Sequence, residues 1–200
     1  MPAWEPISGE TPIDDFSGLI PKGIKSRVDL NLVEAENVRK AVIRYLAARP
    51  SRRQAPFTLG WCYTLHRQMF GNVWRWAGKR RESEVNIGVS VHRIDSDLQT
   101  LLDDLKYWSE HNDMPLIEQA ARLHHRAVQI HPFLNGNGRW SRLLANIHLK
   151  QCRSALTVWP EEAIGTASVI RRKYLSAVRA GDACDYAPLI ELHDRYTKPA

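Results

Sequence analysis

The chain has 200 residues, 44% hydrophobic and 25% charged, the composition of an ordinary soluble globular protein with enough residues for one domain, with or without an added arm. A formal net charge of +6 suits an anionic ligand or simple solubility. The basic clusters Arg52-Arg53, Lys79-Arg80-Arg81 and Arg171-Arg172-Lys173 are scattered along the chain, which argues against a nucleic-acid-binding arm, and no uncharged apolar run approaches the ~20 residues of a membrane span.

Three cysteines at wide spacings, with no CxxC pair, read as reduced thiols in a cytoplasmic protein. Residues 1–25 hold Pro2, Pro6, Pro12 and Pro21 among glycines and acids, which favours an extended arm. They lack the basic start and apolar run of a signal peptide. From Ser26, a natural N-cap, apolar residues recur at helical spacing up to the stop at Pro50. A second helix is expected over 58–70. The period then breaks, and EVNIGVSVHRI (84–94) alternates as a β-hairpin or extended flap would. Helical spacing resumes over 95–112 and again over 114–130, where Asp113 can cap and Pro115 sits in the first turn. In that helix His124 belongs to an apolar row and His125 to the surface. Pro132 stops it. Further helices are expected within 136–152, 160–181 and 185–196. The fold reads as all-α: a helical bundle with a small β-hairpin flap, divided into an arm over 1–25 and one domain over 26–200.

Residues 131–142, HPFLNGNGRWSR, carry the chemistry. His131 ends a buried helix and is followed by a rigid proline. The helix C-terminus favours its protonated form and apolar packing the neutral form, and the sequence leaves both open. Gly136, Asn137 and Gly138 bring backbone N–H groups to a helix start whose first donors have no internal partners, an anion site. Arg139 and Arg142 share a face of that helix and can both reach a polyphosphate. Phosphate chemistry is the natural reading. Trp140 is core filler or a flank for a nucleotide base. His124, His125 and His131 lack the spacing of a zinc site.

This stretch resembles the Fic family signature, HPFx(D/E)GNGRxxR, at every specified position except the acid, which is Asn135 here. Trp76, Ala77, Gly78 and Arg81 resemble the family's WAGxxR segment, and the overall run looks closest to the subfamily called mobile mystery protein B. The resemblance implies a Fic-type bundle that transfers AMP from ATP, with Mg2+, onto a Ser, Thr or Tyr hydroxyl of a target protein. His131 would be the general base and Phe133 the core anchor. Gly136, Asn137, Gly138, Arg139 and Arg142 would bind the phosphates, and Asn135 would hold the metal through a neutral amide oxygen, a weaker ligand than a carboxylate. Asn86, Ile87, Gly88 and Val89 would form the target-docking flap. Glu34, less favourably Glu36, would be the inhibitory glutamate reaching Arg142, although the family's (S/T)xxxE(G/N) pattern is incomplete at LNLVEAEN. A small helix-turn-helix partner often accompanies the subfamily. The alternatives are a nucleotide-binding protein with weak or no transfer activity, or a non-catalytic partner of a regulator or nucleic acid.

Overall fold

The computed structural model describes residues 16–111 and 114–197. Among these residues it contains eight α-helices and no strand, so the all-α expectation holds.

Helix α1, Arg27–Leu46, begins at a capping box in which Ser26 Oγ accepts from Asp29 N–H and the Asp29 carboxylate accepts from Ser26 N–H, satisfying two donors that a helix start leaves open. Its buried face is Leu30, Glu34, Asn37, Ala41 and Tyr45. A carboxylate thus faces inward, while Leu32 is 65% exposed. Helix α2, Leu59–Phe70, starts at Thr58, and α3 spans Ile94–His111. Helices α4, Leu116–Ile130, and α5, Asn137–Gln151, lie at the centre. Leu123, Ala127, Ile130, Trp140, Leu143, Leu144 and Ile147 join them to the core shared with α1–α3. On the other side Ala121 meets a second cluster built from Trp159 and from α7, Val169–Asp182, and α8, Ala187–Arg195. The run expected as one helix over 160–181 is two: the short α6, Glu161–Ile164, ends at Gly165, and Ser168 caps α7 by accepting from Arg171 N–H.

Two further expectations need correction. The segment 84–94 forms no hairpin. Its polar groups are taken elsewhere: Arg81 donates to the Val89 carbonyl, Val89 N–H donates to the Ile130 carbonyl at 3.4 Å, and Ser90 Oγ and Val91 N–H donate to Glu84 Oε1 at 3.0 and 3.1 Å. With those groups engaged and Gly88 at φ +105°, the alternating pattern has no ladder to join, and a 3-10 turn over Val91–Arg93 leads into α3. His125 is buried, not on the surface, because α7 closes over α4: a Cβ on Gly181 would lie 2.5 Å from the His125 ring.

The arm up to residue 15 lies outside the described residues. Beyond it Phe16, Leu19 and Ile24 pack on the core, and Ile20 N–H and Arg75 N–H exchange backbone bonds with Val73 and Gly18 at 2.9 and 2.8 Å. Among the described residues no helix is long and apolar enough to cross a membrane. The cysteines are free.

Trp140 has no exposed surface and packs edge-on against Phe133, ring centroids 5.1 Å apart, which decides for core filler. Trp140→Ala should cost about 3–5 kcal/mol of stability, read as a lowered midpoint in urea unfolding; a midpoint within ~0.5 kcal/mol of the parent would contradict this placement.

Candidate active site

Proline at 132 ends α4, and the chain must turn at once to start α5 at Asn137. His131 makes that turn in the left-handed conformation, φ 54° and ψ 58°, where glycine is the usual helix terminator. The strain is held by Arg81, a guanidinium only 1% exposed. Its Nε donates to the His131 carbonyl at 2.8 Å and its Nη1 to the Ser83 carbonyl at 3.1 Å, its Nη2 donates to Val89, and its backbone N–H donates to the Pro132 carbonyl at 2.8 Å. One buried cation therefore fixes the end of α4 and drapes the flap over it. Gly88 approaches so closely that a Cβ there would stand 2.6 Å from His131 Cβ.

The next residues are pinned from the core side. Phe133 stacks on His66 at 3.6 Å between ring centroids. Asn137 closes the loop on itself: its Oδ1 accepts from Phe133 N–H at 3.0 Å and its Nδ2 donates to the Phe133 carbonyl at 2.8 Å. His66 Nδ1 accepts from Gly78 N–H at 3.0 Å, so its proton sits on Nε2, which donates to the Asn135 carbonyl at 3.0 Å. Burial drives the His66 pKa down to about 3, and this neutral tautomer persists at physiological pH. Gly136 caps α5 at φ +82°, and a Cβ there would strike the Phe70 ring at 2.7 Å, so glycine is required on both counts.

The N-terminus of α5 then opens into a cavity of about 1570 Å³ lined by His131, Asn135, Gly136, Asn137, Gly138, Arg139 and Arg142, by Ile87, Gly88 and Val89 of the flap, and by Glu34. Asn86 does not line it. Burial, with the nearby Arg81 charge, lowers the His131 pKa to about 4 against an opposing hydrogen bond to the Val128 backbone. Desolvation thus outweighs that hydrogen bond, and the imidazole is neutral at pH 7 and able to accept a proton.

Both arginines carry carboxylates. Arg139 Nη1 donates to Glu34 Oε2 at 2.7 Å, and Trp74 Nε1 holds the other oxygen of Glu34 at 2.6 Å. The inhibitory pairing expected with Arg142 is therefore corrected: Glu34 engages Arg139, because the inward face of α1 lies over the first turn of α5. Glu36 is on the surface, paired with Arg39. Arg142 is gripped by Glu161, Nε to Oε1 at 2.8 Å and Nη2 to Oε2, and its Nη1 donates to Tyr174 Oη at 3.2 Å. Burial disfavours the Arg142 charge, but Glu161 and Tyr174 more than offset this and raise its pKa. Sequence reasoning passed over Glu161, Tyr174, His66 and the structural task of Arg81. No group of three or more His, Cys, Asp or Glu side chains gathers among the described residues, so a cation at Asn135 would rely on that amide, water and ligand oxygens.

Residues 56–149 match the model of the Fic/DOC family. The chain carries a Fic domain. Over 130 residues, 63% of this chain, it is 32% identical to the protein adenylyltransferase Fic of Drosophila virilis and to that of Drosophila ananassae, covering 25% of each. The chain thus spans a quarter of the length of these curated relatives. In fold the Fic domain is similar to Fic-1 (residues 134–508) from C. elegans, with TM-score 0.68, 23% identity, and 89% of this chain and 51% of that one covered. It is also similar to BepC, a VirB-translocated effector from Bartonella tribocorum solved with AMPPNP bound, with TM-score 0.66, 18% identity, and 89% and 90% covered.

The buried imidazoles link stability to acidity. His66 and His193 are lowered to about 3, and His131 and His148 to about 4, while free imidazoles titrate near 6.5. Between those limits the unfolded chain binds more protons, so stability is complete above about pH 6.5 and falls as pH drops toward 3–4. Urea midpoints should decline steadily from pH 7 to 4.5; midpoints unchanged over that range would contradict the buried neutral assignments.

Proposed function

We propose that the chain transfers AMP from ATP to a Ser, Thr or Tyr hydroxyl of a target protein. The observation that carries this reading is that a neutral His131 and the α5 N-terminus with its two arginines line one cavity. The target hydroxyl gives its proton to the His131 imidazole as its oxygen attacks the α-phosphorus. The bond to the bridging oxygen breaks, and pyrophosphate leaves. Backbone N–H groups at Gly136–Arg139 receive phosphate oxygens, and Arg139 and Arg142 take the charge of the leaving group. Asn135 would hold Mg2+ through its amide oxygen, and the ion would supply charge neutralisation. The flap over Ile87–Val89, with Asn86 at its edge, guides an extended target segment across His131.

A restrained enzyme is favoured over an unrestrained one by the carboxylates on the arginines. In this reading Glu34 competes with phosphate for Arg139, and activity rises when it is removed. The relatives named adenylyltransferase support the transfer chemistry. A cytoplasmic setting, a small helix-turn-helix partner, membership of the mobile mystery protein B group, and a single Fic unit over 26–200 preceded by an arm belong to the same proposal.

The test is incubation with labelled ATP, Mg2+ and a host lysate. Label should exceed that of His131→Ala by at least about tenfold, the lower end of what a positioned general base contributes being about a hundredfold. Glu34→Gly should label more strongly than the parent. Equal labelling by the parent, Glu34→Gly and His131→Ala would remove the transfer reading.

A further inference from the structure

We infer that Tyr174, His124, His193 and Thr157 form a directional, buried hydrogen-bond relay that sets which edge of Arg142 faces the cavity. The inference deepens the proposed function, since it rests on Arg142 as a phosphate ligand. Its members come from three helices and a loop. Arg142 Nη1 reaches Tyr174 Oη at 3.2 Å, Tyr174 Oη reaches His124 Nε2 at 2.9 Å, His124 Nδ1 reaches His193 Nε2 at 3.0 Å, and His193 Nδ1 reaches Thr157 Oγ1 at 3.0 Å. All five side chains are buried.

Donor arithmetic fixes the direction. A guanidinium nitrogen only donates, so the tyrosine oxygen accepts from Arg142 and has one proton to give. If His124 Nε2 were protonated as well, the oxygen would face two donors while its own proton stayed buried. Nε2 therefore accepts, and a neutral His124 carries its proton on Nδ1. That proton goes to His193 Nε2, which places the His193 proton on Nδ1 facing Thr157. Desolvation keeps both rings neutral, as the chain requires. The far end is anchored: Thr157 N–H donates to Asn146 Oδ1 at 3.0 Å, and Asn146 Nδ2 donates to the Thr157 carbonyl at 2.9 Å. Asn146 sits on α5 one turn beyond Arg142, so the relay leaves α5, crosses α7, α4 and α8, and returns to α5.

The consequence is geometric. With Nη1 committed to Tyr174, the guanidinium presents Nε and Nη2, the parallel pair that grips Glu161 in this structure. That same edge is the one that recognises two oxygens of a phosphate. Without the relay the guanidinium can rotate, and bidentate binding loses its preset orientation. His124 and His193 are positioning residues, and His193 does not line the cavity.

The experiment compares Tyr174→Phe, which keeps the ring that lies 5.4 Å from the Arg142 carbon and removes only the hydroxyl, with His193→Leu and His193→Gln. Glutamine restores an acceptor oxygen for the His124 Nδ1 proton. ATP affinity with Mg2+ is measured by calorimetry, alongside imidazole 15N shifts and 15N relaxation of the Arg142 Nε–H group. We expect both histidines as Nδ1–H tautomers. We expect affinity about tenfold weaker in Tyr174→Phe and His193→Leu, corresponding to one lost charge-assisted hydrogen bond, and recovery to within about twofold in His193→Gln. Parent affinity in both folded variants, or a protonated His124 Nε2, would overturn the relay. If His193→Leu does not fold, Tyr174→Phe decides. Should the parent itself bind no ATP, or Arg142→Ala bind as the parent does, the nucleotide reading fails instead. The relay is then judged by the tautomers and by Arg142 mobility in Tyr174→Phe, which need no nucleotide: Nδ1–H rings and a looser guanidinium uphold it, and any other result removes it.

Discussion

A residue that must be both the end of one helix and the edge of a reaction cavity adopts a conformation that side chains resist, and the bond from Arg81 to the His131 carbonyl makes this tolerable. A left-handed residue other than glycine costs on the order of 1 kcal/mol. A buried guanidinium that found no acceptors would cost more, so the two requirements settle each other. Arg81 spends its donors on carbonyls that an irregular chain leaves open, at His131, Ser83 and Val89, and these span the turn and the flap. The base, the flap and the start of α5 are consequently positioned by one group. Arg81 touches no reacting atom in the proposed chemistry, yet each placement depends on it.

The cavity pairs desolvated bases with satisfied cations. His131 is kept neutral by burial beside a positive charge, which suits a proton acceptor. Each arginine is instead paired with a carboxylate, Arg139 with Glu34 and Arg142 with Glu161. The two pairs differ in kind. Glu34 is 4% exposed and clamped by Trp74, whereas Glu161 is 52% exposed at the mouth. In the proposed reaction an incoming phosphate would therefore meet a deep, costly exchange at Arg139 and an easier one at Arg142, where the departing carboxylate returns to water.

Much of this was legible in twelve consecutive residues, because a helix stop, a glycine turn and a helix start are local events. His131, Gly136, Asn137, Gly138, Arg139 and Arg142 line one cavity, and Phe133 is buried in the core. The partners were not legible. Glu34 is 105 positions from Arg139, and the resemblance that singles it out implies Arg142 as its partner. An amphipathic helix alone would leave His125 on a wet face, but α7 and α8 cover α4 from the side opposite the main core. The alternation of 84–94 is genuine in sequence, and the strand was lost because Arg81 and Glu84 claimed the backbone groups that a hairpin would have paired.

The most direct measurement is a crystal structure with a non-hydrolysable ATP analogue and Mg2+. The phosphates are expected on the N–H groups of Gly136–Arg139, with Arg142 exchanging Glu161 for phosphate oxygens and the His131 imidazole on the far side of the α-phosphorus from the leaving group. An analogue bound away from the α5 N-terminus, or with His131 turned from it while both arginines keep their carboxylates, would contradict this.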